Sequence, residues 1–325
     1  MKKVTYAQAI KEAIDEEMER DEKVIFLGED IEIIGGNFKA TPGLFEKYGQ
    51  MRVRNTPISE NSFTGVGLGA ALSGLRPIVE LMFSDFITLA MDQIANQAAK
   101  IRYMSGGQAR VPLTIRTTLG GGRSSAAQHS QSLHALVAHM PGMKVVLPSS
   151  AEEAKGLLKT AIRDDNPVIF FEHKMEYNKE YEIPEGEYTI PFGKANILKE
   201  GQDITVVGTS LQALNALQTA RDLVKEGIDV EVIDPRTIVP FDRDTVIQSV
   251  KKTGKMLVVD EGYGRCGVAA EIIADLLKDV FYDLDSPMER LTTANVPMPF
   301  SPVLEFPLIP TQEKIYRKIK EMMEE

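Results

Sequence analysis

The sequence predicts an α/β protein with two domains, each built on a mainly parallel sheet that helices cover on both faces. First, the chain has 325 residues, which is more than a single hydrophobic core usually supports. Second, apolar runs of strand length alternate with amphipathic segments of helix length, as is typical of parallel sheets. Third, a polar stretch over residues 176–193 contains prolines and glycines and indicates a linker. We therefore expect one domain over residues 1–185 and a second over residues 186–325.

The first predicted helix is marked by its capping residue. Thr5 is a favourable N-cap, and apolar residues fall on one face of the segment Tyr6–Arg20. A buried strand over residues 24–27 follows and ends at Gly28, Glu29 and Asp30. Open α/β sheets place their functional groups just beyond such strands, so these acids lie where a site is expected.

The remaining elements follow from the same alternation of apolar patterns. A long loop with glycines and prolines occupies residues 35–43. For the first domain we predict helices over residues 65–74, 86–104 and 151–162. We predict its strands over residues 77–83, 112–117, 144–146 and 168–172. For the second domain we predict strands over residues 203–208, 230–234 and 255–260. We predict its helices over residues 211–226, 245–253 and 268–280.

Composition excludes several classes of protein. Apolar residues make up 43% of the chain and charged residues 26%, as in ordinary globular proteins, and no apolar run reaches the length of a membrane span. The N-terminus lacks the apolar core of a signal peptide, so we expect a complete cytoplasmic chain with no membrane partner. A formal charge of −10 argues against a nucleic-acid partner. Cys266 is the single cysteine, which excludes an internal disulfide framework.

The glycine-rich segment 65–71 raises the hypothesis of a nicotinamide dehydrogenase that works alone. A dinucleotide-binding fingerprint directly follows a hydrophobic strand. Here the preceding residues, Ser59 to Thr64, are largely polar, and the third glycine, Gly69, comes one position early. Close helix packing through small residues is therefore the favoured interpretation.

Glu60 is a candidate for proton chemistry. It lies between Ile58 and Phe63, at the start of a helix with almost no polar side chains. Burial disfavours the charged form of a carboxyl group, which could then share a proton with a ring nitrogen of a ligand. A glutamate at a helix N-terminus also satisfies backbone donors, and the residues alone favour that interpretation.

His129 is a second candidate because of the loop in which it lies. It follows the flexible run 120–125, and such glycine-rich loops often close over ligands. His134 and His139 are typical of packed or capping residues, and His173 stays open. The four histidines show no metal-ligand spacing, and no Gly-x-Ser-x-Gly elbow of a serine hydrolase is present.

Several spaced motifs resemble one family in a single order. They are Pro57-Ile58-Ser59-Glu60, Gly74-Leu75-Arg76-Pro77, Asp92-Gln93, Met104-Ser105-Gly106-Gly107, Gln128-His129-Ser130-Gln131, Ala161-Ile162-Arg163-Asp164-Asp165-Asn166-Pro167 and Asp234-Pro235-Arg236-Thr237. Together they resemble the β subunit of the thiamine-diphosphate-dependent first component of 2-oxo acid and acetoin dehydrogenase complexes. The resemblance runs from about Val4 to the C-terminus. It implies an N-terminal pyrimidine-binding domain and a C-terminal transketolase-like domain.

The resemblance also implies roles for individual residues. Glu60 matches the glutamate that contacts the pyrimidine ring of thiamine diphosphate, and Phe86 matches the aromatic position beside that ring, with Met82 nearby. His129 matches the histidine that faces the thiazolium and the incoming lipoyl group. A structural potassium site of some members corresponds to Leu113, Ala161, Ile162, Asp164 and Asn166.

The resemblance further implies that this chain is active only with an α subunit. Thiamine enzymes bind diphosphate through Mg²⁺ with Gly-Asp-Gly and Asn-Asn motifs, and this chain contains neither. The expected assembly is an α₂β₂ heterotetramer in which the α subunit holds Mg²⁺. A lipoyl-bearing acyltransferase core is the second expected partner. It would dock on the acidic patch Asp283, Asp285 and Glu289, although a merely solvated acidic face remains an alternative.

Three segments favour the acetoin branch of the family: 80–86, 172–175 and 264–266. On that basis the small-molecule substrate is acetoin, acetaldehyde leaves, and the remaining two-carbon unit is oxidised onto lipoamide. The alternative substrates are pyruvate and branched-chain 2-oxo acids, from which carbon dioxide leaves. A non-catalytic assembly subunit, in which Glu60 only caps a helix, is a further hypothesis.

Overall fold

The computed structural model describes residues 1–324 and confirms the predicted α/β class. The chain forms two compact units. Unit 1 comprises Met1–Leu119 and Leu136–Phe192, and unit 2 comprises Gly120–Ala135 with the described residues from Gly193 onward. The domain division expected at residues 185 and 186 stays a prediction. Within residues 1–324, no helix is both long and apolar enough to cross a membrane.

Six parallel strands of unit 1 lie side by side in the order β6-β7-β5-β4-β2-β3. Their bounds are β2 Val24–Gly28, β3 Val53–Asn55, β4 Arg76–Phe83, β5 Thr114–Leu119, β6 Lys144–Val146 and β7 Val168–His173. Strands β2, β5 and β7 are buried along their whole length, as expected for a parallel sheet covered on both faces.

The first helix of unit 1, α1 (Tyr6–Arg20), has the predicted bounds and the predicted cap. The Gln8 amide donates to the Thr5 hydroxyl over 3.1 Å, and the Thr5 amide donates to the Gln8 side chain over 2.7 Å. These reciprocal bonds form a capping box. The buried face of α1 packs against α7 (Ala151–Arg163) in one apolar cluster.

The remaining helices of unit 1 include one that was not predicted, α2 (Leu44–Tyr48), and others that differ from the predicted bounds in detail. They are α2 Leu44–Tyr48, α3 Glu60–Leu72, α4 Ile87–Met91, α5 Ala99–Met104 and α6 His134–Ala138, which the boundary between the units divides. Helix α3 begins at Glu60 instead of residue 65. The predicted helix over residues 86–104 contains a π-helical turn, Asp92–Ala98, between α4 and α5. Local apolar periodicity does not distinguish these two helical forms.

The predicted linker is not wholly irregular. It contains β8 (Glu180–Ile183), which pairs antiparallel with an N-terminal strand, β1 (Lys2–Thr5). Both strands carry charged residues, so the apolar pattern gave no sign of them. Pairing between distant segments decides this ladder.

Unit 2 is built on a five-stranded sheet with the order β14-β13-β10-β11-β9. Its strands are β9 Asn196–Lys199, β10 Ile204–Gly208, β11 Val230–Asp234, β13 Met256–Tyr263 and β14 Glu289–Thr293, with a short strand β12 Thr237–Val239 elsewhere. Only β9 runs antiparallel to its neighbour. The helices are α8 Leu211–Leu223, α9 Arg243–Thr253, α10 Val268–Val280, α11 Pro302–Glu305 and α12 Gln312–Glu324.

The two faces of this sheet carry separate apolar clusters because successive strand residues point to opposite sides. Val206 packs in the cluster that contains α8 and α12. Its neighbour Val207 packs in the cluster that contains α9 and α10. The sheet is thus covered on both faces. Residues near the carboxyl end of β13 contact the segment Gly120–Ala135.

Candidate active site

Buried carboxylates mark the carboxyl end of the sheet in unit 1. Glu29 directly follows β2 and is 5% exposed, while Glu60 begins α3 and is 6% exposed. The two are close enough for Glu60 to raise the pKa of Glu29. Acids at this edge occupy the position at which open α/β sheets bind ligands.

Glu60 does not act as a helix cap. Ser59 is the N-cap residue of α3 and makes no side-chain capping bond. Within residues 1–324, the Glu60 carboxylate also accepts no hydrogen bond from the backbone. The Glu60 oxygens are therefore available to a ligand that donates a hydrogen bond.

Glu29 has the properties of a proton-exchanging group. Burial, followed by the charges of Glu60, Asp30 and Glu80, raises its pKa to about 7. Its Oε1 atom has no hydrogen-bond partner within residues 1–324. Carboxyls whose pKa lies near neutrality are typical of functional sites. The sequence had marked Glu29 only by its position after a strand.

A buried ion network supports the loop over this edge. Arg116 of β5 binds both oxygens of Glu172, with Nε to Oε1 at 2.8 Å and Nη2 to Oε2 at 2.7 Å, and it also binds Glu80 of β4. Glu80 accepts a bond from the backbone amide of Asn37 over 2.6 Å. Burial raises the pKa of Glu80, although Arg116 opposes that shift. The only sequence signal for this network is the presence of charged residues inside otherwise apolar strands.

Met82 and Phe86 lie together at the end of β4. The Met82 carbonyl accepts bonds from the Thr118 hydroxyl over 2.7 Å and from the Asn37 side-chain amide. Phe86, in the turn after β4, packs edge-on against Phe83 with ring centroids 5.8 Å apart. Both side chains are half-buried. This arrangement offers an apolar surface at the same end of the sheet as Glu29.

His129 lies in unit 2, within the segment Gly120–Ala135, and is half-buried. Its amide donates to the Ala126 carbonyl over 3.4 Å. The preceding backbone has positive φ at Gly120, Gly122, Ser124 and Ala126. Non-glycine residues in this region are strained and persist where surrounding contacts fix them.

The other histidines have structural positions. His134 is buried with Nε2 3.0 Å from Asp260 Oδ1, so it is packed, as expected. Burial raises the pKa of Asp260, but His134, Thr209 and the Gly262 amide together hold it below its usual value. His139 is exposed, and His173 is buried with its Nδ1 accepting from the Met175 amide over 3.3 Å. Among residues 1–324, no group of three or more histidine, cysteine or acidic side chains is arranged to bind a metal.

The residues of the expected potassium site lie around the end of α7. Arg76 donates to the carbonyls of Ile162 and Asp164, each over 3.1 Å. The carbonyls of Leu113 and Ala161 accept backbone bonds, and the Asn166 side chain donates to Asp164 Oδ1 over 2.9 Å. A carbonyl oxygen has two lone pairs, so these bonds leave it capacity for a cation. Arg76 already supplies positive charge there.

Comparison with known proteins matches two family models to successive parts of the chain. Residues 2–180 match the family model "Transketolase, pyrimidine binding domain", and residues 193–315 match "Transketolase, C-terminal domain". The chain is also similar in fold to a solved "Split gene transketolase, inactive beta4 tetramer", with a TM-score of 0.79 at 23% identity, covering 99% of this chain and 98% of the other.

Three curated relatives align over almost their whole length. The chain is 46% identical to "Acetoin:2,6-dichlorophenolindophenol oxidoreductase subunit beta" of Bacillus subtilis, covering 99% of this chain and 98% of the relative. It is 46% identical to "Pyruvate dehydrogenase E1 component subunit beta" of Rickettsia felis, covering 98% of each. It is 44% identical to "2-oxoisovalerate dehydrogenase subunit beta" of Bacillus subtilis, covering 100% of each.

The matched domain models and the full-length relatives identify the same family. The chain belongs to the family of β subunits of the thiamine-diphosphate-dependent acetoin and 2-oxo acid dehydrogenases.

Proposed function

We propose that this chain is the β subunit of an acetoin dehydrogenase and that it supplies the pyrimidine side of an active site completed by an α subunit. The buried Glu60 carboxylate, which has no partner of its own within residues 1–324, carries the proposal. The three motif segments of the acetoin branch support the choice of substrate, as does the similarity to the acetoin oxidoreductase subunit. Pyruvate and branched-chain 2-oxo acids are the alternative, supported by relatives of nearly equal identity.

When bound, thiamine diphosphate supplies a carbon nucleophile that adds to a substrate carbonyl. Glu60 would hold a proton toward a ring nitrogen of the pyrimidine, and its burial would make that hydrogen bond stronger than it is in water. Met82 and Phe86 would pack beside the ring and exclude water. His129 donates a proton to the substrate or orients it during acyl transfer to lipoamide.

The α subunit holds Mg²⁺ and the diphosphate, because this chain lacks both diphosphate motifs. We propose the α₂β₂ arrangement for the pair. Potassium would bind among the oxygens of Leu113, Ala161, Ile162, Asp164 and Asn166. Greater thermal stabilisation by KCl than by choline chloride of equal ionic strength would support that site, and equal stabilisation would exclude it.

The lipoyl-bearing acyltransferase core is the proposed second partner. Of the acidic patch, Asp283 lies 3.6 Å from Lys251 and Glu289 lies 3.6 Å from Lys318. These lysines partly neutralise the patch, so Asp285 carries most of its unpaired charge. Replacing Asp285 with Asn should weaken co-sedimentation with the core, and unchanged binding would make the patch a solvated face.

The test is activity of the assembled α and β chains with thiamine diphosphate, Mg²⁺ and an artificial electron acceptor. We expect reduction with acetoin and little with pyruvate or branched 2-oxo acids. Glu60→Gln should lower kcat by about a hundredfold or more, because it removes the shared proton. Glu46→Gln, which alters an exposed carboxylate of α2, should leave the rate unchanged.

Each other outcome has a distinct meaning. Preference for a 2-oxo acid would replace the substrate but keep the mechanism. A fully active Glu60→Gln enzyme would contradict the role of Glu60 and favour an assembly subunit. Nicotinamide cofactor reduction by this chain alone would favour the dehydrogenase hypothesis.

A further inference from the structure

The segment that carries His129, residues 120–135, has little regular secondary structure, and several of its residues have positive φ angles. Its φ angles are +97° at Gly120, +89° at Gly122, +53° at Ser124 and +62° at Ala126. Two of these residues are not glycine, so their left-handed conformation costs free energy. Contacts from the rest of unit 2 must therefore stabilise this conformation.

Glu305 provides the first such contact. Its carboxylate is fully buried, with Oε1 accepting from the Gly122 amide over 2.8 Å and Oε2 from the Ser124 amide over 2.9 Å. Ser124 also places its hydroxyl 3.5 Å from Oε2. Successive amides in alternating left- and right-handed conformations form a concave site for an anion. Within residues 1–324, Glu305 binds this segment, chiefly through its backbone amides, and forms no ion pair with a basic side chain.

Glu261 provides a second contact at the start of the segment. Its Oε1 accepts from the Gly121 amide over 2.6 Å, and its Oε2 accepts from the Gln212 side chain over 2.9 Å. Gly121 is closely packed, since a Cβ atom there would lie 3.3 Å from Ile309 and 3.4 Å from Glu305 Oε1. The glycine thus allows the backbone to approach both carboxylates.

Asp260 anchors the far end of the segment. It binds His134, and it also accepts from the Thr209 hydroxyl over 2.6 Å and from the Gly262 amide over 3.2 Å. A Cβ atom at Gly262 would lie 2.6 Å from Asp260 Oδ2, so a side chain there would disturb this contact. His129 therefore lies between two anchored ends, both held by buried carboxylates of unit 2.

We propose that Glu305 and Glu261 are positioning residues that set the place of His129 by binding the backbone amides before it. The inference rests on the proposed role of His129. A carboxylate accepts two diverging N–H groups, whereas the neutral amide of glutamine presents one oxygen and one N–H group. In Glu305→Gln the side-chain N–H group therefore faces one of the two backbone amides, Gly122 or Ser124, and the hydrogen bond to that amide is lost.

The experiment is a double-mutant cycle on the assembled α–β enzyme with acetoin. Glu305→Gln should lower kcat about ten- to a hundredfold with little change in KM, because His129 is displaced while substrate binding elsewhere is kept. In a His129→Ala background the same substitution should cost less than about twofold, because the residue it acts through is gone. Glu305→Asp, which keeps the charge on a shorter side chain, should recover part of the rate.

Glu231→Gln is the matched control. Glu231 is another buried carboxylate of unit 2, which accepts from the Gly201 amide over 3.2 Å and makes no contact with the His129 segment. Hydrogen exchange of a peptide covering residues 120–135 should accelerate about tenfold or more in Glu305→Gln. It should be unchanged in Glu231→Gln, even if both variants lose similar overall stability.

The outcomes separate this inference from the proposed function. Additive losses in the cycle, or unchanged exchange in Glu305→Gln, would overturn the positioning role while leaving that of His129 intact. A fully active His129→Ala enzyme would remove the role of His129 and the positioning role with it. If Glu305→Gln does not assemble, Glu261→Gln carries the same cycle with the same expected non-additivity.

Discussion

At the scale of single residues, Glu29 and Glu60 are two buried carboxylates that lie close together at the strand ends. Both carboxylates are buried, and Glu29 has a pKa of about 7 because burial and nearby acids disfavour its charge. Burial of Glu60 was predicted from its apolar neighbours, of which Phe63 is buried but Ile58 is exposed. Its proximity to Glu29 was not predictable, because the two lie on separate elements that meet only in the folded sheet.

Glu29 gives a pH-dependent prediction. Its pKa is higher in the folded chain than the ordinary 4.5, so the folded state binds more protons between about pH 4.5 and 7. The contribution of Glu29 to stability therefore falls as pH rises through that window. The free energy of unfolding of Glu29→Gln should therefore rise by about 1–3 kcal/mol relative to that of the native chain as the pH increases from 5 to 7.5.

Urea unfolding of the full chain at both pH values measures this difference. Glu22→Gln, which changes an exposed carboxylate of unit 1, should show no such pH-dependent gain. A parallel pH dependence of Glu29→Gln and the native chain would contradict the elevated pKa.

At the scale of secondary-structure elements, one glycine of α3, Gly67, is required for close packing. A Cβ atom at Gly67 would lie 2.5 Å from Val79 of β4, while Gly69 has no atom within 4 Å of that position. The absence of a side chain lets α3 lie close to the sheet and brings Glu60, its first residue, to the strand ends. The packing interpretation of the glycine-rich segment is thus supported at Gly67 but not at Gly69.

These two glycines form a matched pair for a stability prediction. Gly67→Ala should destabilise the chain by about 1–3 kcal/mol, because the added methyl group overpacks the contact with β4. Gly69→Ala should stabilise it by about 0.5–1 kcal/mol, because alanine restricts the unfolded chain and is favoured in helices. Chemical denaturation checks both. Equal effects at the two positions would show that close packing is not what Gly67 provides.

At the scale of the whole molecule, the proposed functional residues are divided between the two units. Glu60, Met82 and Phe86 lie in unit 1, and His129 lies in unit 2. Neither the Gly-Asp-Gly nor the Asn-Asn motif occurs in the sequence. The charged diphosphate needs a metal and several donors, which is the physical reason for the proposed dependence on an α subunit.

That dependence predicts a difference in cofactor binding. Calorimetric titration with thiamine diphosphate and Mg²⁺ should show binding to the isolated chain at least about a hundredfold weaker than to the α–β complex, a difference of about 2.7 kcal/mol. The reason is that the diphosphate stays solvated unless the α subunit binds it. Equal affinity would mean that this chain contains a diphosphate site of its own.

The sequence by itself determined the α/β class, most helices and strands, and the family, because periodic apolar patterns and ordered motifs are local properties. Thr5 with Gln8 shows this well, since a capping box lies within four consecutive residues. Only the tertiary structure decided the pairing of β1 with β8, the proximity of Glu29 and Glu60, and the binding of the His129 segment by Glu261 and Glu305. Glu305 lies more than 170 residues from the amides that it binds. Such contacts depend on how distant elements pack, which no local pattern encodes.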